Sequence, residues 1–158
     1  MKILVINPGG TSTKIAVFED EKQLFKTNIT HTAEDLKPFH KVFDQFAYRK
    51  ELILRAVMEQ GVRLEALSAV AGRGGLMEPI PGGTYAVNDR MVEDMRNAVH
   101  GEHPSNLGCV LAKEIGDELG IPSFVVDPVS VDELMPIARI SGISDLERPS
   151  WFHALNHK

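Results

Sequence analysis

The sequence predicts an α/β fold built on a mixed sheet, from three observations. It opens with three short apolar runs joined by turn residues. It then alternates helical and strand-like periodicity. And its apolar runs end abruptly at Gly, Asp or Pro. Ile3–Ile6 is a continuous apolar run stopped by Asn7-Pro8-Gly9-Gly10, the pattern of a buried strand and a sharp turn. Lys14–Glu19 reads as a second strand, with Thr13 before it. Asp20-Glu21 turns it into a third, Gln23–Thr30, and such short connections favour antiparallel pairing.

Beyond this meander, residues 46–60 read as a helix. Leu52, Ile53, Ala56 and Val57 recur at helical spacing and Gly61 ends the segment. Leu67–Ala71 returns to strand, and Gly72-Arg73-Gly74-Gly75 breaks it before a Pro- and Gly-rich loop. Asn88 suits the N-cap of a helix over 89–99 with Met91, Val92, Met95 and Val99 on one face. Residues 106–119 form another, with Leu107, Val110, Leu111, Ile115 and Leu119 inward and Gly120 as its cap. Ser123–Val126 is a buried strand ended by Asp127-Pro128. A weak helix is expected over 132–138, and another begins near Trp151. Cys109 and Met58, Met77, Met91, Met95 and Met135 read as packing residues.

Composition narrows the function. At 158 residues the default is one domain. With 17 Lys and Arg against 22 Asp and Glu, the net charge is −5, against non-specific nucleic-acid binding. A single cysteine excludes an internal disulfide framework and a four-cysteine zinc site. No run approaches the roughly 18 apolar residues of a membrane span. No membrane partner is expected, and the simplest location is cytoplasmic.

Four strand or helix boundaries carry chemistry. In Asn7–Lys14, Gly9 and Gly10 let backbone N–H groups approach an anion, and Thr11, Ser12 and Thr13 add hydroxyls beside Lys14. The same residues also form an ordinary hairpin turn; the hydroxyls and the lysine tilt the reading toward phosphate. Neither a Walker motif nor a dinucleotide fingerprint fits, because a strand follows. Arg73 among glycines can grip a carboxylate or phosphate bidentately, or sit on the surface of a flexible loop. His100, His103 and Asn106 cluster before a helix, where Ser105 or Asn106 can serve as caps. Asp127 at a strand end suits magnesium or substrate positioning, or a plain Asp-Pro turn. His153 and His157 share one face of a terminal helix, if that tail is ordered. Together, an anion loop, an arginine, a histidine and an aspartate at strand ends suit phosphoryl transfer.

The stretches Val5–Lys14, Gly72–Leu76, Gly82–Tyr85, Gly101–Gly108, Val125–Glu133 and Phe152–Lys158, in this order along the chain, resemble the acetate kinase family of the actin-like ATPase superfamily. The last three resemble the butyrate kinases within it. The resemblance implies a ribonuclease H-like, actin-like ATPase lobe that transfers the γ-phosphoryl of ATP, with Mg2+, to butyrate. Other short-chain or branched-chain acids, a sugar kinase of the same fold and a non-catalytic interaction module are the alternatives. In family terms Asn7, Gly9, Gly10, Thr11, Ser12 and Lys14 lie by the phosphates. Arg73, Asp127 and His153 are catalytic, and Arg73, Gly75, His103 and Phe152 meet the substrate. Asn7 and Asp127 are candidate metal ligands.

Gly10 replaces the family's usual Ser. Gly75 stands where acetate kinases carry a valine, which implies a wider acyl pocket and predicts that Gly75→Val shifts preference toward acetate. The resemblance also implies that residues 1–158 are the N-terminal lobe of a two-lobe homo-oligomeric enzyme, with 145–158 beginning the inter-lobe region. The adenosine site, a second active-site arginine and a metal-binding glutamate would lie beyond Lys158. The chain alone is then expected to be inactive and to bind ATP poorly.

Overall fold

The computed structural model describes residues 1–151. The three opening strands are β1 (Lys2–Pro8), β2 (Ser12–Glu19) and β3 (Lys22–Thr30), antiparallel in sequence as expected. A capped turn of helix, α1 (Ala33–Leu36), precedes α2 (Phe46–Glu59). Then come β4 (Ala69–Arg73), β5 (Thr84–Ala86), α3 (Asp89–Arg96), α4 (Asn106–Leu119) and β6 (Ser123–Val126). The six strands form one sheet in the order β3-β2-β1-β4-β6-β5, with β1, β4 and β6 parallel and β5 antiparallel at the edge.

One face of the sheet carries the main core. Leu4, Ile6, Ile15, Val17 and Val70 meet Ile53 and Val57 of α2 and Leu107, Leu111 and Ile115 of α4. Each such buried aliphatic side chain contributes about 1.5–3 kcal/mol. A second cluster, with Met77, Met95, Cys109, Val110 and Val125, seats α3. Asn88 caps α3, its side chain accepting from the Met91 N–H at 2.9 Å, and Gly120 closes α4 at φ +66°.

Several local expectations change. The fourth strand lies two residues later than its apolar run suggests, because a 3-10 turn at Leu64–Ala66 occupies the approach; Arg73 is therefore the last strand residue. Helix α3 stops at Arg96, short of Val99, because Ala98 turns left-handed at φ +50°, and Val99 stays exposed. The segment expected to be helical over 132–138 holds only a 3-10 turn, Pro136–Arg139. Proline fits the first turn of a helix and stops anything upstream. Met58 and Met135 are exposed rather than packed, whereas Met77, Met95 and Cys109 are buried. The short strand β5 has no sequence signal of its own; it forms by pairing with β6. Phe152, His153 and His157, and the helix expected near Trp151, lie outside the described residues.

Candidate active site

Strand pairing sets the site. Ile6 lies opposite Gly72, Gly72 opposite Val125 and Arg73 opposite Val126. The next level along the parallel strands is Asn7, Arg73 and Val126, and Asp127 follows one residue beyond, so Asn7, Arg73 and Asp127, far apart in sequence, stand at the same edge of the sheet. Ligands of open α/β sheets bind at such carboxyl ends. A cleft of about 210 Å³ there is lined by Asn7, Pro8, Gly9, Ser12, Lys14, Arg73, His103 and Ser105.

His103 reaches this edge because α4 starts close against β4. Gly72 and Gly108 meet with no side chains between them; a Cβ on Gly72 would lie 2.0 Å from the Gly108 carbonyl oxygen. The start of α4 is held by Asn106, a buried side chain that joins two loops. Its Oδ1 accepts from Leu76 N–H at 2.9 Å and its Nδ2 donates to Gly101 O at 2.9 Å. Ser105 is buried too, but neither it nor Asn106 makes the expected side-chain cap on α4. The Ser105 hydroxyl instead lies 2.6 Å from His103 Nδ1, which also accepts from the Ser105 N–H at 3.2 Å. With Nδ1 an acceptor, the neutral ring carries its proton on Nε2, a donor suited to an anion.

The turn after β1 is tightly made. Gly9 N–H donates to Ser12 O at 2.7 Å, and His31 N–H to Thr11 O at 2.9 Å. Beneath it lies Arg49, which composition and motif give no reason to single out. Its Nη1 donates to Gly9 O (2.9 Å), Ser12 O (3.4 Å) and Thr13 Oγ1 (2.9 Å), and its Nη2 to Gly10 O (3.2 Å). Gln45 Oε1 accepts from its Nε (3.0 Å) and Nη2 (2.7 Å). The signal was periodicity: Arg49, Ile53 and Val57 repeat every four residues, on the face that α2 buries. Thr13 is also fully buried, and its hydroxyl lies 2.9 Å from His31 Nε2. Because that oxygen accepts from Arg49, its proton goes to His31. Burial, and then the Arg49 charge, hold the His31 pKa down at about 4, so the ring is a neutral acceptor.

Asp127 adopts φ +44°, a left-handed conformation that Asp tolerates better than most residues. Its Oδ1 accepts from Gly83 N–H at 2.8 Å and its own N–H donates to Gly83 O at 3.0 Å. This pins the Pro- and Gly-rich loop to the end of β6.

Of the expected site residues, Asn7, Gly9, Ser12, Lys14, Arg73 and His103 share the cleft. Gly10 and Thr11 lie exposed on the turn above Arg49. Asp127 flanks the cleft without lining it. Gly75 is buried away from open space, where a Cβ would lie 2.5 Å from Asn106 Cα. His100 faces elsewhere, 3.3 Å from Glu78 Oε2 and edge-on to Trp151.

Among the described residues, no three His, Cys, Asp or Glu side chains are grouped to hold a metal ion. Magnesium carried on nucleotide phosphates needs only one or two protein oxygens. Asp127 fits that need, with Oδ1 engaged by Gly83 and a second oxygen beside it. An Asn7–Asp127 pair fits less well, since Arg73 stands between them and two strand spacings amount to about 10 Å. No helix of the described residues is long and apolar enough to cross a membrane.

A mixed sheet of this order, an antiparallel meander continued by parallel strands with helices packed on it, is an α/β lobe of the actin-like fold. The fold matches the crystal structure of acetate kinase from Porphyromonas gingivalis with a TM-score of 0.59, over 99% of this chain and 46% of that one; identity is 18%, so the likeness is one of fold. In sequence the chain is similar to proteins named as butyrate kinases. It is 55% identical over 157 residues to the "Probable butyrate kinase" of Clostridium botulinum (strain Eklund 17B / Type B), and 50% identical over 157 residues to "Butyrate kinase 1" of Clostridium acetobutylicum. Each match covers 99% of this chain and 44% of the relative, so the chain spans less than half the length of these curated relatives. No protein-family model matches it.

Proposed function

We propose that this chain is the acyl- and phosphoryl-facing lobe of a carboxylate kinase that transfers the γ-phosphoryl of ATP to butyrate, giving ADP and butyryl phosphate. The observation that carries the reading is the shared cleft of Asn7, Ser12, Lys14, Arg73 and His103, set by the parallel pairing of β1 with β4. A carboxylate oxygen of the acid attacks the γ-phosphorus and the bond to the ADP oxygen breaks. The transition state spreads negative charge over the equatorial oxygens, so fixed donors do most of the work.

In this reading Asn7, the Gly9–Ser12 turn and Lys14 hold phosphate oxygens. Arg73 holds the substrate carboxylate and, together with His153, the transferring group, and Phe152 is assigned to the substrate. His103 donates from Nε2. Asp127 would hold a magnesium ion brought in with the nucleotide, and that ion would supply neutralisation of phosphate charge. Residues 145–158 begin the connection to a second lobe that supplies the adenosine site, and the chain by itself does not turn over.

Hydroxylamine trapping of acyl phosphate tests this. The 158-residue chain alone is expected to form no butyryl hydroxamate. A chimera joining it to the complementary region of a butyrate kinase relative is expected to form it, favouring butyrate over acetate and isobutyrate. In that chimera Arg73→Ala should lower turnover by roughly 100- to 1,000-fold, the effect of losing one charge-stabilising donor. Turnover by the lone chain, or an Arg73→Ala chimera as active as its parent, contradicts the proposal.

A further inference from the structure

The Arg49 guanidinium is a buried cation whose acceptors are all neutral: three turn carbonyls, the Thr13 hydroxyl and the Gln45 amide. Among the described residues no carboxylate forms an ion pair with it, and the neighbouring His31 is neutral. A buried charge without a counterion is costly. Its hydrogen bonds also have a geometric consequence. The peptide bonds are trans and planar, so a carbonyl turned down drives the next N–H up. Arg49 takes Gly9 O and Gly10 O, and His31 N–H takes Thr11 O. The N–H groups of Gly10 and Thr11 are thereby turned away from the core, as an anion-binding concavity requires.

We propose that Arg49 is a positioning residue of the phosphate turn. It aims the Gly10 and Thr11 amides outward, and it supplies from below a fixed positive charge whose counterion is the bound phosphate. The inference rests on the phosphate-binding role given to this turn above.

Inorganic pyrophosphate is the probe, titrated into the 158-residue chain while amide resonances of Gly9–Ser12 are followed by NMR. The wild-type turn is expected to shift on binding. Arg49→Lys keeps the charge but loses the forked donors, and should bind about tenfold more weakly; Arg49→Met loses both, and should bind at least about a hundredfold more weakly. Val57→Ala, on the same buried face of α2 but away from the turn, should lower stability and leave pyrophosphate affinity unchanged; this separates positioning from a structural role. If Arg49→Met fails to fold, Arg49→Lys and Gln45→Ala, which removes the guanidinium's side-chain anchor, decide by weaker binding. Wild-type binding matched by folded Arg49 variants overturns the inference and leaves the turn a phosphate site. A wild-type turn that pyrophosphate does not perturb overturns both.

Discussion

Gly72 and Gly108 meet backbone to backbone: a Cβ on Gly72 would lie 2.0 Å from the Gly108 carbonyl oxygen, and one on Gly108 would lie 2.1 Å from that of Arg73. This contact sets how close α4 sits to β4, and so where His103 stands relative to Arg73. Gly108→Ala must push the helix away, because the obstacle is backbone and cannot rotate aside. We expect it to cost about 1–3 kcal/mol or more in urea unfolding and to reduce pyrophosphate binding at the cleft. A Gly108→Ala chain as stable as wild type would show that α4 is not seated by this contact.

Gly10 and Gly75 give opposite expectations. A Cβ at Gly10 meets nothing within 4 Å, so Gly10→Ser should leave stability within about 0.5 kcal/mol of wild type. At Gly75 a Cβ would lie 2.4 Å from Asn106 Oδ1 and 2.8 Å from Asn106 N. Gly75→Val therefore displaces the residue that ties Leu76 to Gly101, and the expected result is loss of stability by a few kcal/mol rather than the clean shift toward acetate that the resemblance implies. Thermal unfolding of the two variants side by side checks this. A stable Gly75→Val protein with altered acyl preference would mean that the valine projects into the pocket.

His31 makes stability depend on pH. Its pKa is about 4 in the folded chain against an ordinary 6.5, chiefly through burial and then through Arg49. Between those values the unfolded chain takes up a proton that the folded chain refuses. Its contribution is full above pH 6.5 and declines as pH falls, by up to about 3 kcal/mol once pH is below 4. Urea midpoints at pH 7 and pH 4.5 should differ by more in wild type than in His31→Gln, whose amide oxygen still accepts from Thr13. Equal differences would mean that His31 does not carry the effect.

Asp127 holds Gly83 structurally and has a chemical role in the proposed reaction, and two substitutions separate the two. Asparagine tolerates φ +44° and can accept from Gly83 N–H. Asp127→Asn should stay within about 1 kcal/mol of wild type in stability, yet lower turnover of the two-lobe chimera by roughly 100-fold through loss of charge. Asp127→Ala should add a stability loss of about 1–3 kcal/mol from the orphaned amide and the strained backbone. Full activity in Asp127→Asn would remove the carboxylate from the mechanism.

Local pattern carried much of this molecule. Turn residues and apolar runs mark the β1–β3 meander, helical spacing marks the buried faces of α2 and α4, and Asn88 and Gly120 announce helix ends. Those signals are short-range, so they are legible residue by residue. They also placed Asn7, Arg73 and Asp127 at segment ends, which is where the sheet presents them.

What the sequence alone determined is therefore most of the inventory: five of the six strands, which stripes turn inward, and which polar residues stand at the strand ends. The tertiary structure decided the rest. Only the order β1-β4-β6 makes Asn7 a neighbour of Arg73 across 66 residues of chain. Only packing sets the Arg49 guanidinium beneath the turn after β1, against the Gly9, Gly10 and Ser12 carbonyls, and makes Asn106 a cross-link rather than a cap. The physical reason is that strand pairing and desolvation act between groups distant in sequence, and nothing in a local window encodes which partner a buried charge will find.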